Sequence, residues 1–291
     1  MSVAAPQPPT VPRAAALRRR ATEVARWSVK TGAMGWDVVR RPPAGLTVLI
    51  YHRVGHGGGS QMDVDPATFD RQLAWLASST RILSLDDAAR ELRVAGADGD
   101  VRPGVVLTFD DGTADWVEHV LPALERHDAP AAFYVATDFV ERRVPFPADG
   151  RPITWPGLRE LASSPLVTIG SHTHRHVLLD RLPAPEVAED LRTSIELLGD
   201  KVGVVPRHFA YPKAVAGSPG AEREVRARFD TAVLAGTRAN RAGTDLHRIS
   251  RSPVQRADDD RAFRHKAIGG MGLEDRLRAT ANRLRYRGAS S

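Results

Sequence analysis

Two short segments of this chain carry the residue types of a hydrolytic metal site. Thr108-Phe109-Asp110-Asp111-Gly112 sets two carboxylates side by side, and His172-Thr173-His174-Arg175-His176 sets two imidazoles four residues apart. One carboxylate and two imidazoles suffice to hold a divalent ion, and the second carboxylate is left to act as a base toward water. Neighbours on extended backbone point in different directions, so one of Asp110 and Asp111 can ligate while the other faces substrate. Each segment also has an ordinary reading. Asp-Asp-Gly ends a strand well, with glycine allowing a positive φ. Histidines four apart share a face on a helical turn, whereas in a polar loop they would be coincidence. Three of the ten histidines fall within these five residues, which argues against coincidence.

Such groups need elements that bring them together. From Leu46 onward short apolar runs alternate with helical patterns. The runs Leu46–Tyr51, Val105–Phe109, Ala131–Val135, Leu166–Ile169, His208–Tyr211, Thr231–Leu234 and His247–Ser250 read as strands, several of them rich in Val, Ile or aromatics. Between them Pro66–Ser78, Asp115–His127, Trp155–Ala162, Pro185–Leu198 and Ala221–Arg228 read as helices, the first opened by an Asp65 cap with Pro66 behind it. This alternation predicts an α/β fold, a parallel sheet with helices outside. Seven strands with helical crossovers predict a barrel, closed or incomplete, whose chemistry sits at the C-terminal strand ends. His52, Asp110, Asp111, His172 and Tyr211 all fall at or just after such ends.

The bulk composition fits one large domain. The chain has 291 residues, 42% of them hydrophobic, enough to bury a sizeable core. It has no cysteine, so a metal must be held by histidine and carboxylate. The net charge of +6 sits largely at the two ends; with no recognised motif and few aromatics it is weak ground for nucleic-acid binding. The expected division is an N-terminal basic extension over residues 1–44, a catalytic domain over 45–260, and a basic helix and tail over 261–291. Residues 1–12 read as disordered. The segment Arg13–Arg41 reads as a basic helix packed on the domain with a solvated face, or alternatively as a helix lying on a membrane surface. No continuous apolar stretch follows Arg18-Arg19-Arg20, so no export signal is read and a cytoplasmic location is expected.

The order Tyr51-His52, Thr108 to Gly112, His172-Thr173 to His176, and Arg207-x-Phe209-x-Tyr211-Pro212 resembles the polysaccharide deacetylases, the NodB-homology or family 4 carbohydrate esterases. The early Tyr-His resembles the branch acting on poly-β-1,6-N-acetylglucosamine. The resemblance spans about Leu46 to Pro253 and implies a distorted (β/α)7-type barrel. It implies Asp110 as general base and Asp111, His172 and His176 as metal ligands, usually for Zn²⁺, with Co²⁺, Mn²⁺ or Ni²⁺ also accepted by such a set. Arg207 would orient the base, the backbone N–H of Tyr211 would stabilise the oxyanion, and His52 would be the general acid, with His247 as the second choice. The implied reaction is removal of N-acetyl groups from an N-acetylated amino sugar or glycan, with release of acetate. Alternatives are hydrolysis of another amide or an O-acetyl ester, or an inactive carbohydrate-binding relative. The complete set of base and ligands argues against the last.

Overall fold

The structure is a computed structural model and describes residues 27–55, 57, 60–95 and 99–286. Residues 1–26 and 287–291, on which the disordered start, the first half of the basic segment and the tail were read, lie outside the described residues.

Nine strands form. They are β1 (Leu46–Tyr51), β2 (Arg53–Val54), β3 (Asp63–Val64), β4 (Gly104–Asp111), β5 (Ala131–Val135), β6 (Val167–Ser171), β7 (His208–Ala210), β8 (Thr231–Ala235) and β9 (Ile249–Pro253). Strands β2 and β3 pair with each other, and the other seven close a barrel in the order β1-β4-β5-β6-β7-β8-β9. Every barrel pair is parallel, including β9 on β1, so all seven C-terminal ends lie at one mouth. The seven-stranded (β/α) barrel expected from the strand count is therefore the fold.

The helices are α1 (27–39), α2 (Pro66–Ser79), α3 (Leu85–Val94), α4 (Leu121–Arg126), α5 (Thr137–Arg142), α6 (Trp155–Ser163), α7 (Ala184–Val202), α8 (Pro219–Arg228), α9 (Asp260–Ala267) and α10 (Gly272–Tyr286). The Asp65 cap on α2 forms as its sequence predicts, its carboxylate accepting from Thr68 N at 3.0 Å. Expected helix Asp115–His127 is split, with one wide turn over Trp116–Val120 before α4. Among the described residues no helix is long and apolar enough to cross a membrane.

The period-two alternation of the strands builds two cores. Val48, Val106, Ala132, Tyr134, Ala210, Val233 and Ile249 pack together inside the barrel. The alternate positions face the helices, where Tyr51, Phe109 and Phe133 form a stack with centroid separations of 5.3 and 4.8 Å, edged by Trp116. Each such ring contributes roughly 2–3 kcal/mol by leaving water, and each pair about 1 kcal/mol beyond that. At Gly170 a Cβ would come within 2.6 Å of the Tyr134 ring, so only glycine lets that ring fill the barrel.

Two strand expectations shift. Strand β4 runs on through Asp110 and Asp111, so the carboxylates belong to the strand and not to a turn after it. The last strand begins two residues late: residues 245–248 form a turn, with Arg248 N on Asp245 O at 2.8 Å and His247 N on the Asp245 carboxylate at 3.0 Å. The strand then continues through Arg251, a buried charge inside the barrel wall.

Candidate active site

Asp110 lies on the inward face of β4, in the same alternation as Val106 and Thr108. Asp111 would by that alternation face the helices. Its φ of 90°, followed by Gly112 at 113°, breaks the period and swings its carboxylate over the strand end. The two neighbouring carboxylates thus enter the barrel mouth from different directions.

The histidine segment is not helical, as the four-residue spacing had suggested; it is a loop after β6 with left-handed φ at Thr173 (67°) and His176 (56°). The buried carboxylate of Asp190 on α7 holds it, accepting from His174 N at 2.7 Å, Arg175 N at 3.2 Å and Arg175 Nε at 2.7 Å. Thr173 Oγ1 accepts from His176 N at 2.9 Å. With the loop folded this way, one ligand atom from each of Asp111, His172 and His176 lies within 4.8 Å of the others. Asp111 Oδ1 stands 3.8 Å from His172 Nε2 and 3.4 Å from His176 Nε2. His174 turns away, its Nδ1 3.0 Å from Thr137 Oγ1.

The protonation states suit metal ligation. His172 Nδ1 donates to the carbonyl of Ala210 at 2.7 Å, which leaves the Nε2 lone pair facing the cluster. Burial pushes the His172 pKa down against the pull of Asp110 and Asp111. Burial, and then the His172 ring, push His176 down to about 4. Two neutral imidazoles and one carboxylate, all nitrogen and oxygen donors, are a set that can hold a divalent ion.

Asp110 has a partner that sequence reading missed. Arg251 donates from both terminal nitrogens to the two carboxylate oxygens, at 2.6 and 2.7 Å, and also to Thr108 Oγ1 at 3.0 Å. Arg251 is fully buried and its guanidinium lies 5.3 Å from the centre of the Tyr134 ring. Burial works to raise the Asp110 pKa, but the Arg251 charge, then His172 and His52, outweigh it and hold it at about 2. Asp110 is therefore a carboxylate at any ordinary pH.

Three expected roles are corrected. Arg207 does not reach Asp110. It precedes β7, at the opposite end of the barrel from the mouth, where its Nε donates to Asp230 at 2.7 Å and its Nη1 stands 3.3 Å from Asp86. His247 precedes β9 at that same far end, with Nε2 donating to Phe229 O at 2.8 Å. It lies four residues before Arg251, about 13 Å of strand away from the mouth. The backbone N–H of Tyr211 is already donated to Val233 O at 3.2 Å in the β7–β8 ladder, and its ring packs edge-on to Phe209 in the helix layer. That N–H is therefore engaged in the ladder and not aimed at the mouth. His52, in contrast, follows β1 at the mouth, close enough for its charge to act on Asp110. Its carbonyl accepts from Trp116 Nε1 at 2.9 Å, which fixes the backbone there. Lys213, in the turn after β7 with φ 52°, also approaches closely enough to disfavour protonation of His176.

A direct check follows. Arg207→Ala and His247→Ala are expected to leave any hydrolytic activity of this site within about threefold of wild type, since exposed or far-end substitutions usually cost little. A loss above about tenfold in initial rate, with melting temperature unchanged, would return either residue to the chemistry.

Comparison with known proteins bears on the family and the fold. A family model described as Polysaccharide deacetylase matches residues 98–223, which include both carboxylates and both histidines. The poly-β-1,6-N-acetyl-D-glucosamine N-deacetylase of Escherichia coli K12 is 30% identical over 149 residues, 45% of this chain and 21% of that protein. The chain thus spans about a fifth of the length of the curated relatives it matches. The structure of IcaB from Ammonifex degensii superposes with a TM-score of 0.68 at 26% identity, over 78% of this chain and 98% of that one. Streptococcus pyogenes deacetylase PplD shares the fold, with a TM-score of 0.61 at 20% identity, over 74% of this chain and 94% of that one.

Proposed function

We propose that the barrel mouth hydrolyses the acetamide of an N-acetylated amino sugar within a glycan, releasing acetate and leaving a free amine, a reading supported by the polysaccharide deacetylase family model that matches residues 98–223. The observation that supports this best is the buried Asp110 carboxylate, held ionised by Arg251, beside the Asp111–His172–His176 donor set. The 30% identical Escherichia coli relative acts by its name on poly-β-1,6-N-acetyl-D-glucosamine, which makes β-1,6-linked N-acetylglucosamine the first substrate to try.

Asp111, His172 and His176 would hold the divalent ion, Zn²⁺ first among the candidates. When bound, the ion supplies Lewis acidity toward the acetyl carbonyl and toward the attacking water. Asp110 takes a proton from that water, and Arg251 keeps the acceptor ionised and aimed by its two parallel hydrogen bonds. The C–N bond then breaks, and the amine must leave protonated. His52 stands at the mouth on the side of Asp110 and donates that proton. The loop that Asp190 braces holds His172 and His176 in place as the site works.

The test is acetate release from β-1,6- and β-1,4-linked N-acetylglucosamine oligomers, using chelator-treated protein before and after Zn²⁺ is restored. Release that depends on Zn²⁺ is expected, with the β-1,6 series faster. Zn²⁺ uptake without acetate release from either series would overturn the acetamide reading in favour of another amide or an O-acetyl ester.

A further inference from the structure

Helix α1 is built inside out. Its buried positions are Lys30, Ala33 and Asp37, spaced three and four apart on one face. Its exposed positions include Trp27 (66% exposed), Trp36 (52%), Val38 (74%) and Val39 (78%). An ordinary surface helix puts the charges outside and the apolar side chains against the core. Here buried charges share the attachment with Ala33 and the half-buried Met34, which pack against Ala262 and Met271. Lys30 pairs with the buried Asp258, which also takes Lys266 at 2.8 Å. Asp37 accepts from Met271 N at 2.7 Å and from His265 Nδ1 at 3.0 Å. These ion pairs fix α1 against α9 and the start of α10, and so fix which face looks outward.

The outward face has the layout of a helix that lies in an interface. At 3.6 residues per turn, Trp27 and Trp36 stand about 180° apart, one on each flank. Between them run Thr31, Gly32 and Gly35, and at Gly32 and Gly35 a Cβ would meet nothing within 4 Å. The backbone can therefore sink to the depth of the two indoles. Ile268 (56% exposed) continues the apolar surface beyond Val38, the two lining one groove with Arg41.

Charge selects the occupant. Residues 1–41 hold eight Lys or Arg against two Asp or Glu, and residues 261–291 again hold eight against two. The 219 residues between them hold 25 against 31. Apart from Lys30 and Lys266, which are buried against Asp258, this basic charge belongs to the two ends of the sequence whose described parts, α1 and α9–α10, pack together. A second copy of this face would bring like charge against like charge. An anionic lipid surface meets both features, since indoles settle at headgroup depth and each Lys or Arg near such a surface adds about 1 kcal/mol.

We infer that the α1 face is a membrane-docking surface for anionic lipid, with Trp27 and Trp36 as interfacial anchors and Val38 and Val39 entering the acyl boundary. This does not depend on the chemistry at the barrel mouth. It takes up, for the described residues 27–39, the membrane-surface alternative read from the sequence of Arg13–Arg41.

The experiment is co-sedimentation of the full chain with vesicles of equimolar phosphatidylglycerol and phosphatidylcholine, and with vesicles of phosphatidylcholine alone. Wild type is expected to bind the first and to bind the second at least about tenfold more weakly. The triple variant Trp36→Ser, Val38→Ser, Val39→Ser is expected to lose at least about tenfold in binding to the anionic vesicles. A control variant, Val94→Ser with Val205→Ser, removes two equally exposed valines (79% and 77%) elsewhere and is expected to bind as wild type does. Failure of wild type to bind anionic vesicles overturns the inference, as does undiminished binding by the triple variant. So does a dimer in solution that the triple variant dissolves while vesicle binding is absent.

Discussion

Arg251→Met is expected to lower stability by about 3–5 kcal/mol at neutral pH and to lower Tm by on the order of 10 °C. Methionine fills much of the same volume, so the loss is not mainly a cavity effect. It is the cost of leaving Asp110 ionised in a site that is 3% exposed, with neither of the two charge-assisted bonds at 2.6 and 2.7 Å. The pH dependence separates this cause from simple loss of packing. In wild type the Asp110 pKa is depressed to about 2, so the pair contributes stability that is fully present above about pH 4 and is lost as pH falls toward 2. That contribution is about 2 kcal/mol. In the variant, burial remains and the guanidinium does not, so the Asp110 pKa rises above its unfolded value. The variant is then relieved as the pH falls and the carboxyl takes up a proton. The gap in Tm between the two proteins is expected to be widest near pH 7 and to narrow steadily below about pH 5. A gap that stays constant from pH 7 to pH 4 would mean that Arg251 stabilises by packing on Tyr134 and not by neutralising Asp110. Arg251→Lys restores a charge without the bidentate geometry and is expected to recover part of the stability.

Arg251 also marks where sequence reading stops. The segments with Asp110, Asp111, His172 and His176 stood out because residue type and local spacing carried the signal. The barrel was legible because seven strand patterns recurred with five helical patterns between them. The pairing of Arg251 with Asp110 has no local trace, since 141 residues separate them. It exists only because β9 closes on β1, with Val48 opposite Arg251, while β1 also pairs with β4. A charge inside an apolar run reads as the end of a strand, which is why the last strand was expected to stop at Ser250. Its period told otherwise: Ile249 and Arg251 share a face, and Ile249 is in the barrel core. Arg207 was misplaced for a related reason. A linear motif does not say which end of a strand a residue occupies, and β7 is only three residues long, so Arg207 and Tyr211 of one short motif flank it at opposite ends of the barrel. Helix α3 was overlooked although Ser84 caps it and Leu85, Ala88, Ala89 and Leu92 follow at helical spacing. Its core contacts are buried under a segment dense in Asp and Arg, which diluted the apolar signal.

Asp110→Asn is expected to reduce the rate of acetate release by about 10²–10⁴-fold while leaving uptake of Zn²⁺ by Asp111, His172 and His176 intact. Asparagine keeps the shape and one acceptor for Arg251, but it cannot take a proton from water. It also leaves the buried Arg251 without its counter-charge, so a fall in Tm comes with the change, and rates must be read on protein shown to be folded by its Zn²⁺ stoichiometry. His172→Ala gives the contrasting signature, because it removes a donor and should lower Zn²⁺ affinity along with activity. The pH axis adds a second distinction. Asp110 is ionised above about pH 2 and His176 is neutral above about pH 4, so neither titrates between pH 5 and 9. Protons should compete with Zn²⁺ for His176 only as the pH falls through about 4, and Zn²⁺ stoichiometry should hold flat above pH 5 in wild type and in Asp110→Asn alike. The size of the rate loss should therefore be the same at every pH from 5 to 9. A loss that shrinks toward high pH, where hydroxide needs no base, would still place Asp110 as the proton acceptor. A variant that keeps Zn²⁺ and wild-type rates throughout that range would remove Asp110 from the reaction and leave its pairing with Arg251 as structure alone.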